Sequence, residues 1–197
     1  PVFERKLTLE DLPFLRSHVI NGVPVLPFAV IAEWLAGAAL HGAPGLHFHG
    51  FDELRIFKGV LLKDESCTVE LRAGKAVREG GFYRVPVELR GGSGSLLHAR
   101  ADIILASRLP EAPAPSPEFA LLPYQRTAER CYRELLFHGP DLQSILSIAG
   151  CSEAGIVVSA AAALPPRSWL RRPWRDVWLS DPMAKDAAFQ AMILWTC

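Results

Sequence analysis

Residues 17–40 read SHVINGVPVLPFAVIAEWLAGAAL. From Pro27 to Leu40 apolar and small side chains follow one another without a breaker, a run long enough for a helix rather than a strand. Proline suits a first helical turn, because its fixed φ is helical and its missing N–H would have had no partner there. The segment therefore reads as a buried helix. The residues before it are less ordinary: His18, Gly22 and Pro27 stand in an H-x3-G-x4-P arrangement. Gly22 permits a tight turn or a close backbone approach. A helix N-terminus leaves N–H groups free and carries the positive end of the dipole, which can polarise an incoming carbonyl. A histidine placed there against an apolar wall tends to stay neutral and can serve as a general base. A structural histidine in a proline-rich loop is the plainer reading of the same residues.

The whole chain narrows the choice. Its 197 residues suffice for one large domain or two small ones, and with 50% hydrophobic residues a sizeable core can form. Lys plus Arg number 21, as do Asp plus Glu, for a formal net charge of zero. With no basic excess to neutralise phosphates, nucleic-acid binding has no electrostatic support. Cys67, Cys131, Cys151 and Cys197 are scattered and form no CxxC pair, which argues against a zinc site or a disulfide framework. Free thiols fit a reducing, cytoplasmic setting. No basic-then-apolar leader is present, and no apolar run could cross a bilayer of about 30 Å, so no membrane partner is expected. A start at Pro1 without methionine suits a piece of a longer polypeptide or a processed start.

VFERKLT (2–8) has the look of a first strand, and HGAPG (41–45) stops the helix. Then the period changes. HFHGFDELRIFKGVLL (47–62), SCTVELRAG (66–74), GFYRVPVELRG (81–91) and SLLHARADIILAS (95–107) are separated by charged or glycine-rich turns, and several alternate apolar with polar. The echo of VELRAG in VELRGG marks two adjacent strands that end alike. One strand, one long helix and an antiparallel meander make an α+β unit over 1–107. RLPEAPAPSPEFALLP (108–123) is too rich in proline for helix or sheet interior and is expected to be an extended linker. In the second unit, 124–197, a short helix is expected over 127–135, a turn over 137–145, a strand over 153–164, an irregular tryptophan-rich stretch over 167–182 and a second apolar helix over 184–197.

Two more clusters could carry chemistry. In DPMAKDAAFQ (181–190), Asp181 precedes Pro182 as a candidate cap, Asp186 falls in the first helical turn, and Gln190 lies one turn on along the same face. Acidic residues are favoured in a first turn anyway. Here, however, the neighbours are Ala, Phe, Met, Ile, Leu and Trp, so Asp186 and Gln190 are polar exceptions, and a carboxyl buried there would stay protonated as a general acid. In FHGPDLQ (137–143), Gly139 and Pro140 make a turn, and His138 is a second titratable group expected to line the site or the surface. His47 and His49 would share a strand face, but metal binding there is not expected.

These motifs together resemble the dehydratase domains of polyketide synthases and related multifunctional fatty-acid synthases. HVINGVPVLP (18–27) is similar to that family's HxxxGxxxxP, FHGPDLQS (137–144) resembles its YGPxFQG, and DPMAKDAAFQ (181–190) resembles its HPxLLDxxxQ. The order and spacing also fit, over nearly the whole chain. The chain departs from the pattern at His138 for tyrosine, Leu142 for phenylalanine, Asp181 for histidine and Lys185 for leucine. The resemblance implies a double hotdog, two antiparallel sheets each wrapped around a long central helix. It also implies loss of water from a 3-hydroxyacyl thioester presented on the phosphopantetheine of an acyl carrier protein, with no cofactor. In that reading His18 is the base and Asp186 the acid. Gly22, Pro27, His138, Gly139, Pro140 and Gln190 bind substrate, no metal is used, and Gln190 orients the acid. A backbone N–H near Gly22 would hold the thioester oxygen. The partners implied are the carrier protein and neighbouring synthase domains, with a homodimer as one assembly to expect.

Two rival readings follow from the same residues: a cyclisation domain of product-template type, and a non-catalytic structural or dimerisation domain of a megasynthase. The last helix raises a separate expectation. From about 184 it is apolar on most faces and must be wrapped, yet 153–164 offers the main strand before it. Further strands beyond Cys197 are therefore expected in the native polypeptide.

Overall fold

The computed structural model describes residues 3–64, 66–92, 96–112 and 120–197. The run after Pro27 folds into a helix, α1 (Phe28–His41), with Pro27 as its N-cap at φ −62°. All side chains of residues 29–36 are buried, so α1 is enclosed on every face along its first two turns.

The enclosure is a six-stranded antiparallel sheet. Its strands are β1 (Phe3–Thr8), β4 (His47–Ile56), β5 (Ser66–Ala73), β6 (Val77–Glu79), β7 (Phe82–Gly91) and β8 (Leu97–Ala106), in the order β1-β5-β7-β8-β4 with β6 beside β7. Between β1 and α1 lie two short strands, β2 (Val19–Ile20) and β3 (Val23–Pro24), paired as a hairpin. The strands present alternate residues to the helix, as a period of two requires. Val85, Val87 and Leu89 of β7 stand opposite Ile103, Ala101 and Ala99 of β8. All six join Val30, Ile31, Trp34, Leu35 and Ala38 of α1 in one core. The echoed VELR segments are indeed neighbours, and their charges explain the echo: Glu70 faces Arg90 and Arg72 faces Glu88 across the β5–β7 ladder.

The meander expectation needs correcting. β4 pairs with β8 and not with β5, its successor in sequence. The strand expected over 47–62 ends at Ile56, because residues 60–62 leave the sheet to run beside 24–26. Leu26 donates its N–H to the Val60 carbonyl at 3.0 Å and Leu62 donates to that of Pro24 at 2.9 Å. That crossing delivers β5 to the opposite side of the sheet, against β1.

The linker expected over 108–123 includes 113–119, which lie outside the described residues. Beyond it come α2 (Ala128–Glu134), capped by the Thr127 hydroxyl, and a 3-10 turn over Pro140–Leu142. The single strand expected over 153–164 is one arm of a hairpin, β9 (Ile145–Ser152) with β10 (Gly155–Ala160). SILSIAGC alternates too weakly to announce β9. After a one-turn α3 (Pro166–Trp169) the chain crosses α1 and enters α4 (Pro182–Trp195). Asp181 is the N-cap, its carboxylate accepting from Ala184 N–H at 3.0 Å. Since α4 begins at Pro182, Asp186 sits in its second turn and not its first.

The crossing is fixed by a buried carboxylate of α1. Glu33 accepts the N–H of Leu179 at 2.6 Å and both the N–H and hydroxyl of Ser180 at 3.0 Å. α4 then packs on β9, β10 and α1, burying Ala187, Ala191 and Leu194 against Cys131, Leu136 and Ile145. Its other face leaves Phe189, Met192, Ile193 and Trp195 exposed. Cys67, Cys131, Cys151 and Cys197 are free thiols. No described helix is long and apolar enough to cross a membrane.

Candidate active site

Three segments far apart in sequence meet beside the start of α1. The β2–β3 hairpin brings His18 back towards Val25: Val25 N–H donates to the His18 carbonyl at 2.9 Å, and His18 Nδ1 lies 2.8 Å from the Val25 carbonyl oxygen. A carbonyl can only accept, so Nδ1 carries the proton and Nε2 keeps its lone pair. Asn21 and Gly22 form the turn of the hairpin, with φ of 51° and 77°, the left-handed region in which glycine is unstrained. Gly22 is exposed at that tip, and no described contact reaches from it to the histidine ring. Pro27 is buried and caps α1.

The second segment is docked on the first by backbone contact. Gly139 N–H donates to the Ser17 carbonyl at 2.8 Å, while the Ser17 hydroxyl donates to Asp141 at 2.8 Å and accepts the Asp141 N–H at 3.1 Å. A Cβ on Gly139 would stand 2.9 Å from Ser17 Cα, so only glycine fits this seam. Pro140 starts the 3-10 turn. Docking sets His138 beside His18, with ring centres 5.5 Å apart. Phe137 stacks on His138 at 4.1 Å, meets His18 edge-on at 5.1 Å, and remains 46% exposed, so it is the outer cover of both imidazoles.

The third segment is α4. Asp186 and Gln190 point from one face, as their spacing requires. Gln190 is fully buried and its hydrogen-bonding groups are engaged. Its Nε2 donates to Asp186 Oδ2 at 2.7 Å and to the Leu142 carbonyl at 2.9 Å, and its Oε1 accepts from the Tyr132 hydroxyl at 2.6 Å. Tyr132 in turn accepts from Ile145 N–H at 2.8 Å. Asp186 Oδ2 also lies 3.5 Å from His138 Nε2.

The outcome is a closed cluster. One nitrogen of each imidazole and one oxygen of Asp186 lie within 4.8 Å of one another, with His18, His138 and Asp186 at 8%, 6% and 5% exposure. Burial pushes both imidazoles below the ordinary 6.5, against the opposite pull of Asp186, and in His18 also of the Val25 carbonyl. His18 is therefore neutral at pH 7 with a free lone pair, the state a general base needs. A separate cavity of about 300 Å³, lined by Phe3, Glu33, Trp34, His41, Trp174 and Trp178 among others, is not part of this cluster.

The structure brings together His18, His138, Asp186 and Gln190 of the sequence candidates, sets Gly139 at the seam with Ser17 and Pro140 at the exposed start of the 3-10 turn, and leaves Gly22 at the exposed hairpin turn. His138, expected at a lining or surface position, is a buried neighbour of both other groups. Sequence reasoning missed Tyr132, Phe137 and the Val25 carbonyl. Tyr132 stands in an otherwise ordinary amphipathic helix, and a carbonyl that fixes a tautomer leaves no trace in residue type.

Residues 1–86 match the family model of the polyketide synthase dehydratase domain. A polyunsaturated fatty acid synthase polypeptide of Thraustochytrium sp. is 30% identical over 201 residues, covering 97% of this chain, while the chain spans 7% of that protein. Among solved structures, the dehydratase domain of PpsC from Mycobacterium tuberculosis in complex with C12:1-CoA is 25% identical with a TM-score of 0.66, covering 96% of this chain and 66% of that one. A trans-AT polyketide synthase dehydratase domain from Brevibacillus brevis shares 21% identity at a TM-score of 0.68, covering 98% of this chain and 69% of that one. Sequence over the first 86 residues and fold over almost the whole length agree in their likeness to the dehydratase domains of polyketide synthases.

Proposed function

We propose that this chain removes water from a 3-hydroxyacyl thioester, held on the phosphopantetheine of an acyl carrier protein, to give the trans-2-enoyl thioester. The observation that carries the reading is the convergence of a neutral, correctly oriented His18 and a buried Asp186 from segments at opposite ends of the chain. His18 Nε2 takes the α-proton. The released electron pair forms the new double bond as the β-oxygen leaves, and Asp186, held by Gln190, gives that oxygen its proton. The thioester oxygen gains charge in this step, and N–H groups of the first turn of α1, just past Val25, are the donors we assign to it. Both proton transfers are supplied by side chains, so the reading needs no cofactor and no metal. The PpsC structure with C12:1-CoA supports an acyl thioester as the substrate class. In fold terms α1 and its sheet form one hotdog over 1–107, the linker runs over 108–123, and α4 with the β9–β10 hairpin forms part of a second over 124–197, so base and acid come from different hotdogs. The partners in this reading are the carrier protein and adjoining synthase domains.

The test is a panel of 3-hydroxyacyl-pantetheines incubated with the full-length protein and read by mass for loss of one water. His18→Ala and Asp186→Asn should each lower kcat by about 10²–10⁴-fold while leaving the fold intact. Failure of every substrate with wild-type protein, or wild-type rates in both variants, would overturn the assignment.

A further inference from the structure

The reaction just proposed leaves the site in the wrong protonation state. After one turnover His18 holds the proton taken from carbon and Asp186 has lost the proton given to oxygen. One proton must then pass from His18 to Asp186 before the next substrate, in a cluster almost closed to solvent. A buried imidazole already stands against both. His138 Nε2 lies 3.5 Å from Asp186 Oδ2, and its ring centre is 5.5 Å from that of His18. Its other nitrogen, Nδ1, is buried and has no hydrogen-bond partner among the described residues.

Leaving that nitrogen unpaired has a cost. A buried polar atom without a partner is unfavourable, yet the ring is held where it stands. The His138 carbonyl accepts from the Gln143 side chain at 3.0 Å, the next N–H is bound to Ser17, and Phe137 covers the ring face. The tyrosine of the family motif would offer one oxygen that titrates near 10. Histidine offers two nitrogens that can receive and release a proton simultaneously, near neutral pH.

Resting on the dehydratase reading, we propose that His138 is a proton relay that resets the site, carrying the proton from His18 to Asp186 after each turnover. One nitrogen of each imidazole lies within 4.8 Å of the other, a span that a single oxygen can bridge with two hydrogen bonds of about 2.8 Å. The water just eliminated is released at that spot. The protonated His18 donates to this water, the water donates to His138, and His138 releases a proton from Nε2 to Asp186 Oδ2. Every proton is accounted for: one leaves carbon, one joins the departing oxygen, and the relay returns the difference without a co-reactant. His138 touches the reacting oxygen in this scheme and so is a catalytic residue of the reset step.

The experiment uses full-length protein, a 3-hydroxyacyl-pantetheine, and His138→Ala, His138→Gln and His138→Tyr variants checked for native far-UV circular dichroism. The relay predicts that Ala and Gln lower kcat at least about tenfold while KM stays within about threefold. It predicts that free imidazole restores the Ala variant, more strongly with more basic substituted imidazoles, and that Tyr stays low. The Gln variant serves if Ala does not fold. The relay is overturned if the folded Ala or Gln variant keeps a kcat near wild type, if KM alone changes, if imidazole fails to restore the folded Ala variant, or if Tyr restores full turnover. A wild-type protein with no turnover overturns the dehydratase reading itself, which separates the two failures.

Discussion

Gln190→Leu tests how the acid is held. The side chain is fully buried, and leucine fills much the same volume, so no large cavity opens. What disappears are three hydrogen bonds: to the Leu142 carbonyl, to Asp186 and from Tyr132. Tyr132 keeps its bond from Ile145, so its oxygen is not abandoned. The Leu142 carbonyl and Asp186 lose a donor inside the protein, where replacement by water is hindered. At roughly 0.5–1.5 kcal/mol for each bond, the sum is about 1.5–4.5 kcal/mol. For a chain of this size that is a melting-point drop of roughly 3–18 °C. Urea unfolding followed by tryptophan fluorescence gives the free energy, and turnover below the new melting point gives the effect on the acid. Activity should fall as well, because Asp186 is free to rotate. A Gln190→Leu protein within about 1 kcal/mol of wild type and fully active would refute the claim that this network positions Asp186.

Gly139→Ala should destabilise by about 1–3 kcal/mol and lower kcat, since its Cβ would press on the Ser17 backbone and displace the neighbouring His138; an alanine that melts and turns over like wild type contradicts the seam. Glu33→Ala removes three hydrogen bonds that pin the approach to α4 and should cost roughly 3 kcal/mol, measured by denaturant titration, with a loss of activity from a misplaced Asp186. Both site histidines titrate below 6.5 in the folded protein, so between that lowered value and 6.5 the unfolded chain binds protons that the folded one does not. Stability should thus be undiminished by these groups above pH 6.5 and decline as the pH falls below it, and the acid limb of kcat/KM should lie below 6.5; an acid limb above that value would contradict the burial of His18. Phe137→Ala uncovers the two imidazoles, and their acylation by diethyl pyrocarbonate should speed up at His18 and His138; an unchanged rate would show that access runs elsewhere.

The run after Pro27 and the period-two strands were legible because burial on all sides, or on one face, leaves a direct mark on residue type. The same holds for His18, Asp186 and Gln190, polar residues that stand out in apolar surroundings. The route of the chain between β4 and β5 was not legible. It is decided by backbone hydrogen bonds of Val60 and Leu62 with Leu26 and Pro24, which any residues could make. β9 escaped because its alternation is weak, and its pairing with β10 supplies the order that the pattern lacks. The place of His138 depends on the docking of Gly139 against Ser17, a contact between segments with no sequence signal for each other. The start of α4 was missed by two residues because proline can open a helix as well as precede one.

The Gly139–Ser17 seam also bears on the order of assembly. The β7–β8 ladder closes a short loop, whereas the seam joins residues separated by well over half the chain, and contacts of that span are entropically expensive to form early. Its interactions are therefore expected to be absent from the transition state for folding. A substitution at Gly139 should then leave the folding rate nearly unchanged and accelerate unfolding, the signature of a φ-value near zero, while Val87 or Ala101 should show the reverse. On this view the lifetime of the closed cluster of His18, His138 and Asp186, rather than the speed with which the chain folds, is what the glycine at 139 controls.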